Sequence, residues 1–107
     1  MRIVRTALFE KAVKKLGASA IELLALEAII ASDPERGDVI SGLDGARKLR
    51  FAMGGKGKRG GGRAIYVIVF HADTAFLLTA YSKAHKSDLT EGDKKVLRPL
   101  IKDIRNG

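Results

Sequence analysis

The chain has 107 residues, of which 46% are hydrophobic, so it is long and apolar enough to fold as one domain over residues 1–107 and is not a disordered chain. It has no cysteine, which excludes disulfides, thiolate nucleophiles and cysteine zinc sites, and its longest apolar run, residues 64–70, is far shorter than the roughly 20 residues of a membrane span. A formal net charge of +8 and a pI of about 10.1 favour an anionic partner, either nucleic acid or an acidic protein. We expect the protein in the cytoplasm and away from membranes.

The N-terminal residues predict a strand followed by a helix. Residues 2–6 are a short strand signal, and Thr6 is a candidate N-cap for the helix, which ends at Gly17. One apolar stripe at three- and four-residue spacings runs along this helix and consists of Leu8, Phe9, Val13 and Leu16.

A second helix is predicted over residues 20–32. Ser19 and Glu22 have the capping-box spacing, in which each side chain satisfies a backbone donor of the first turn. Asp33 precedes a proline and ends the helix, because a residue in that position avoids helical angles. The two helices form a predicted hairpin. Its second helix is expected to bury Ile21, Leu23, Leu24 and Ala28.

The segment after the hairpin is predicted to be a loop. Residues 34–45 are rich in glycine and aspartate, with Val39 and Ile40 as the apolar anchor. Residues 22–44 hold six carboxylates and a single base, Arg36. We therefore expect an acidic face that is separate from the basic part of the molecule.

The remainder of the chain predicts three strands and a final helix. The strand-like segments are residues 47–52, 63–70 and 75–81. Their closeness in sequence favours an antiparallel meander, with a turn at residues 71–74. Thr90 is a candidate cap for the last helix, which Pro99 should kink or split.

This order of elements is typical of an α+β fold. We expect a mostly antiparallel sheet with an N-terminal helical hairpin and a C-terminal helix. The helices are expected on one face of the sheet.

The most distinctive segment is residues 45–72, which hold seven bases and no carboxylate. The bases are Arg47, Lys48, Arg50, Lys56, Lys58, Arg59 and Arg63. Lys48 and Arg50 share a face of their strand because side chains alternate, and Arg63 opens the next strand within reach. A bound phosphate would relieve their mutual repulsion, so the pattern favours an RNA-binding surface. Residues 55–60 match GxGxxG, but a strand follows where a dinucleotide site needs a helix.

Three segments together resemble the HigB/RelE-type toxins of the RelE/ParE superfamily, which belong to bacterial type II toxin–antitoxin modules. The segments are RKLRF at residues 47–51, GKGKRGGGRAIY at residues 55–66, and LLTAYSK with KSDLT within residues 77–90. The resemblance covers nearly the whole chain and implies a compact RelE-like fold.

The resemblance also implies a ribosome-dependent mRNA endoribonuclease, an mRNA interferase, that uses no metal or cofactor. In that family the ribose 2′-hydroxyl attacks the adjacent phosphate. By position, Arg63 and Lys83 would stabilise the transition state, and Lys48 or Arg50 would assist proton removal or hold the phosphate. From their charge, we expect the other basic residues to bind RNA, and these are Arg47, Lys56, Lys58, Arg59 and Lys86.

This sequence departs from the family pattern at the proton donor. RelE has a C-terminal tyrosine that is important for cleavage, and residues 88–90 contain none. Tyr81 lies too early to be that residue, and core packing is its expected role. His85 is the candidate for the missing proton-transfer group, with a surface role as the alternative.

Two other functions stay open from the sequence. The ParE branch of the same fold poisons gyrase, and a basic surface of this kind also suits a non-catalytic RNA-binding module. For a toxin, the expected partners are the ribosome, mRNA and a cognate antitoxin, a helix-turn-helix protein that keeps it inactive.

Overall fold

The computed structural model describes residues 1–53 and 61–107, which form an α+β fold with three helices and a five-stranded mixed sheet. The elements in chain order are β1 (Arg2–Arg5), α1 (Ala7–Leu16), α2 (Ala20–Ser32), β2 (Asp38–Val39), β3 (Arg47–Phe51), β4 (Gly62–Val69), β5 (Thr74–Ser82) and α3 (Glu91–Asn106). A single 3-10 turn, Phe70–Ala72, joins β4 to β5.

The sheet is mostly antiparallel, as predicted. Its strand order is β1-β5-β4-β3-β2, so β4 lies at the centre. Strands β3, β4 and β5 form the expected antiparallel meander, and β2 adds a short antiparallel edge. Strand β1 pairs with β5 in parallel, after which the chain crosses over through the two N-terminal helices.

The helix caps form as the sequence predicts. The Thr6 hydroxyl accepts a hydrogen bond from the backbone N–H of Phe9 at 3.2 Å. Ser19 and Glu22 form the reciprocal capping box, with bonds of 3.1 and 2.8 Å. Gly17 has φ of +76°, a left-handed conformation that suits glycine at the end of a helix.

Helices cover both faces of the sheet, so the prediction of a single covered face is wrong. Helices α1 and α2 pack on one face in the hairpin core, which includes Phe9, Val13, Leu26, Ile30, Leu49, Ala64, Tyr66 and Leu77. Helix α3 packs on the other face in the α3 core, which includes Leu43, Ile65, Val67, Leu78, Tyr81, Leu97 and Ile101. The reason is β4: its side chains are apolar on both faces, and each face needs a cover.

The inward face of α2 is only partly as predicted. Leu23 is buried, but Ile21 and Leu24 are 80% and 60% exposed, and Ala28 is exposed as well. The helix is apolar almost all the way round, so the spacing of its apolar residues cannot select a face. The ion pair between Arg5 and Glu27, 2.7 Å from Nε to Oε2, ties one side of α2 to β1.

Two further local predictions need correction. Within residues 34–45, Ile40 packs against the α3 core as expected, but Val39 is 59% exposed on the edge strand, and Leu43 is the buried residue. Of the two outcomes predicted for Pro99, a kink or a split, the split does not occur, since α3 is one helix of 16 residues with Pro99 inside it. Of the helices in the described part of the chain, none is long and apolar enough to cross a bilayer.

Replacing Gly62 by alanine is expected to destabilise the fold by roughly 1–3 kcal/mol, because a Cβ there would lie 2.6 Å from Cε1 of the buried Phe51 ring. Gly61 is the matched control, since its added Cβ would meet no atom within 4 Å. Thermal unfolding of the two variants measures the difference. Equal midpoints would show that the Phe51 ring can move aside.

Candidate active site

Three site residues lie side by side on the α3 face of the sheet, on three adjacent strands. Arg50 of β3 is opposite Arg63 of β4, and Arg63 is opposite Tyr81 of β5. Tyr81 belongs to the α3 core, which identifies the face. Lys48 lies two residues from Arg50 along β3 and therefore on the same face. We call Lys48, Arg50, Arg63 and Tyr81 the basic row.

A carboxylate from the loop before α3 joins the basic row. Asp88 Oδ1 accepts hydrogen bonds from Lys48 Nζ at 3.1 Å, from the Tyr81 hydroxyl at 3.3 Å and from its neighbour Leu89 N at 2.8 Å. The bonds from Leu89 and Lys48 hold the pKa of Asp88 below its usual range. Asp88 is therefore ionised at neutral pH.

Tyr81 offers a neutral hydroxyl beside these charges. Its side chain is 5% exposed. Burial and the negative charge of Asp88 raise the pKa of Tyr81 to about 12, although Arg63 acts in the opposite direction. Lys86 Nζ lies 5.5 Å from the centroid of the ring, at cation–π distance. The phenol therefore keeps its proton at neutral pH and can donate it.

The segment of seven bases has no carboxylate of its own, but the fold brings carboxylates to two of its bases. Lys48 pairs with Asp88, and Arg47 pairs with Glu35 at 3.6 Å. Outside that segment, Lys86 Nζ pairs with Asp93 at 2.6 Å. Burial alone would raise the pKa of Asp93, but hydrogen bonds from Lys86 and Thr90 outweigh it and hold this pKa below its usual range.

The expected separation of an acidic face from the basic surface is wrong. Strand β2, which belongs to the acidic stretch, pairs directly with β3, with Asp38 opposite Lys48. Arg47 points to this neighbouring loop. Its guanidinium donates to the carbonyls of Glu35 and Gly37 at 3.0 and 2.8 Å. Sheet pairing brings these segments together, and local charge composition carries no information about that pairing.

One cation of the basic row and one beside it are free of carboxylate partners within the described part of the chain. No carboxylate there lies within ion-pair distance of Arg50 or Lys83. Lys83 directly follows β5; its backbone N–H donates to Gly61 O at 2.9 Å and its ammonium to Ser87 O at 3.4 Å. These two charges are available to an anionic ligand.

His85 is not a member of the basic row. It is exposed in the turn after β5 and lines a cleft beside α1 together with Lys15, Met53 and Tyr81 of the basic row. Among residues 1–53 and 61–107, no hydrogen bond joins its imidazole to a residue of the basic row. The other predicted RNA contacts, Lys56, Lys58 and Arg59, lie outside the described residues.

The described residues contain no group of three or more His, Asp or Glu side chains arranged to hold a metal ion. The chemistry available at the basic row is the binding of an anionic, tetrahedral group by guanidinium and ammonium donors, next to a neutral hydroxyl and a carboxylate. That set suits a phosphodiester.

Sequence reasoning missed Asp88 and the role of the Tyr81 hydroxyl. For Tyr81 a signal was present, because strand alternation and hairpin pairing place it beside the strand that Arg63 opens. For Asp88 there was none. Its contact with Lys48 spans 40 positions of sequence and depends on how the loop before α3 folds back.

Stability at alkaline pH should report the environment of Tyr81. Its pKa is raised in the folded state, so the stabilisation is complete below the ordinary tyrosine pKa of about 10 and is lost as pH rises towards about 12. The full loss is expected to be roughly 3 kcal/mol, of which roughly 1 kcal/mol falls between pH of about 9 and about 11. Urea unfolding of the wild type and Tyr81→Phe at pH of about 9 and about 11 measures it. Burial raises the pKa of Tyr66 too, so the stability of Tyr81→Phe should still fall in part as pH rises. If the free energy of unfolding depended on pH identically in both proteins, the assignment to Tyr81 would be contradicted.

Two comparisons with known proteins bear on the family and the fold of this chain. The family model described as the RelE toxin of the RelE/RelB toxin–antitoxin system matches residues 1–106. The solved structure of a double mutant of the E. coli toxin RelE in its free state is similar in fold, with a TM-score of 0.56 at 8% identity, covering 94% of this chain and 95% of that one. Because the family model spans almost the entire sequence, the chain belongs to the RelE family of toxins of toxin–antitoxin systems.

Proposed function

We propose that this toxin is a ribosome-dependent mRNA endoribonuclease that blocks translation by cutting mRNA. The observation that carries the proposal is the basic row: Arg50, Arg63 and Tyr81 opposite one another on three strands, with Lys48 on the same face. The family membership supports a toxin and implies a cognate antitoxin. The row adds the donors that a phosphodiester in RNA would need.

The proposed reaction is a metal-independent transesterification. The 2′-oxygen of the ribose attacks the adjacent phosphorus, the bond to the 5′-oxygen breaks, and the products are a 2′,3′-cyclic phosphate and a 5′-hydroxyl. Arg63 and Lys83 stabilise the negative charge that develops on the phosphorane. Lys48 or Arg50 holds the phosphate or assists removal of the 2′-proton, a role for which the lysine must lose its own proton.

The leaving 5′-oxygen needs a proton, and two groups are candidates. Tyr81 carries a neutral hydroxyl within the basic row. His85, the candidate from the sequence, lies exposed on the turn beyond β5, where it lines a cleft together with Tyr81. We favour Tyr81, because it is on the same face as Arg63 and pairs with it directly.

The partners follow from this function. The ribosome supplies the mRNA in the cytoplasm, and the residues that contact RNA are Arg47, Lys56, Lys58, Arg59 and Lys86. For this, Arg47 and Lys86 exchange their ion pairs with Glu35 and Asp93 for contacts to phosphate. The antitoxin is a small acidic protein with a helix-turn-helix domain. It inactivates the toxin by covering the basic row or by keeping the toxin away from the ribosome.

Induction of the toxin in bacterial cells tests the proposal. Translation should stop, and mRNA should carry discrete cuts that end in 2′,3′-cyclic phosphates; purified toxin should cut mRNA only when ribosomes are present. DNA damage with intact mRNA would indicate a gyrase poison instead. Unimpaired growth on induction would indicate a non-catalytic RNA-binding module.

A further inference from the structure

We propose that Asp88 is a positioning residue of the active site, and that its carboxylate holds the Lys48 ammonium and the Tyr81 hydroxyl at the place where the scissile phosphate binds. This inference rests on the proposed function, because it assigns a further residue to the same site. Asp88 itself contacts no reacting atom in the scheme.

The contacts show how one carboxylate can order two donors. Lys48 Nζ and the Tyr81 hydroxyl come from β3 and β5, the two strands that flank β4. Both donate to the same oxygen, Asp88 Oδ1, at 3.1 and 3.3 Å. A lysine side chain is flexible, and holding it in one conformation costs entropy that an ion pair can offset. Asp88 thus limits where the ammonium can be.

Asp88 is itself held in place. Its Oδ1 also accepts from Leu89 N at 2.8 Å, and the next residue, Thr90, caps α3. Thr90 and Asp93 form a reciprocal capping box with bonds of 3.0 and 2.9 Å. These hydrogen bonds hold the start of α3 in place. Asp88 lies just before that start, so its carboxylate is held in place beside the basic row.

The negative charge of Asp88 opposes the binding of RNA, and this opposition makes the proposal testable. Its side chain is 62% exposed, so it stands close to where a phosphate would approach, and like charges repel. Removal of the charge should therefore leave RNA binding unchanged or tighter, while the loss of positioning should slow the chemical step. A residue with a merely structural role would not separate these two effects.

The test uses Asp88→Asn, the conservative variant Asp88→Glu, and Asp103→Asn as a control with the same change of charge at an exposed position near the far end of α3. In ribosome-dependent cleavage, Asp88→Asn should lower kcat by roughly 10- to 100-fold with no rise in KM. Asp88→Glu should recover part of kcat, and Asp103→Asn should match the wild type. A rise in KM with unchanged kcat, or full activity of Asp88→Asn, would overturn the proposal.

A second readout does not depend on cleavage. Titration of the two tyrosines by carbon NMR should show the pKa of Tyr81 falling from about 12 in Asp88→Asn, and not in Asp103→Asn, because the charge and hydrogen bond of Asp88 contribute to the raised value. An unchanged Tyr81 titration would overturn the proposal whatever the activity. If the wild type cuts no mRNA on ribosomes, the proposed function fails, and the titration still decides whether Asp88 holds Tyr81.

Discussion

Replacing Arg63 by alanine is expected to reduce ribosome-dependent mRNA cleavage by at least about 100-fold, with the fold intact. Arg63 is the central member of the basic row, opposite both Arg50 and Tyr81. Its guanidinium is a planar fork of several N–H donors, so it suits the phosphorane oxygens better than a single ammonium would. The measurement is the single-turnover cleavage rate on programmed ribosomes.

Arg2→Ala is the matched control for this prediction, because it removes the same charge from an exposed position. Arg2 lies on β1 opposite Thr74, at the other end of β5 from Tyr81. The control should cleave mRNA at the wild-type rate. Circular dichroism and the thermal midpoint of Arg63→Ala establish whether its fold is intact. A folded Arg63→Ala that cleaves as fast as Arg2→Ala would remove Arg63 from the mechanism.

Replacing Leu97 by alanine is expected to destabilise the protein by about 2–5 kcal/mol. Leu97 is 1% exposed and packs in the α3 core with Ile65 and Tyr81. The truncation leaves a cavity between α3 and the centre of the sheet, and such cavities are filled only in part by relaxation. Urea unfolding at neutral pH gives the change in the free energy of unfolding.

The neighbouring residue supplies the control for Leu97. Val96 is on the same helix but 58% exposed, so Val96→Ala should change the free energy of unfolding by less than about 0.5 kcal/mol. Similar losses in the two variants would mean that α3 does not cover the sheet as described. Because Tyr81 is in the same core, Leu97→Ala should also slow cleavage at temperatures where it remains folded.

Local features of the fold were predictable because each depends on residues close in sequence. The caps at Thr6, Ser19 and Thr90 need only a hydroxyl and the next few backbone donors. The meander of β3, β4 and β5 follows from three short strand-like segments in succession. The sequence patterns did not predict which face of a helix or of the sheet packs against which other element.

Helix α2 is an instance of this limit. Apolar residues lie almost all around this helix, so several of its faces could equally well be the buried one. The face predicted to be buried, with Ile21, Leu24 and Ala28, is the exposed one. The face that packs on the sheet carries Leu23, Leu26 and Ile30 instead. Similarly, the apolar character of β4 showed that it is buried, but not that α1 and α2 would cover one face and α3 the other.

The sequence by itself determined an excess of cations on neighbouring strand-like segments, the absence of thiols, and membership of the RelE toxin family. Strand alternation was enough to place Lys48 and Arg50 on one face and Arg63 next to them. Only the tertiary structure decided which cations keep a free charge, because Asp88, Asp93 and Glu35 reach their partners from distant parts of the chain. Pairing between charges acts through space and is strong only at short distance, so its outcome is settled when the sheet, the loops and α3 come together.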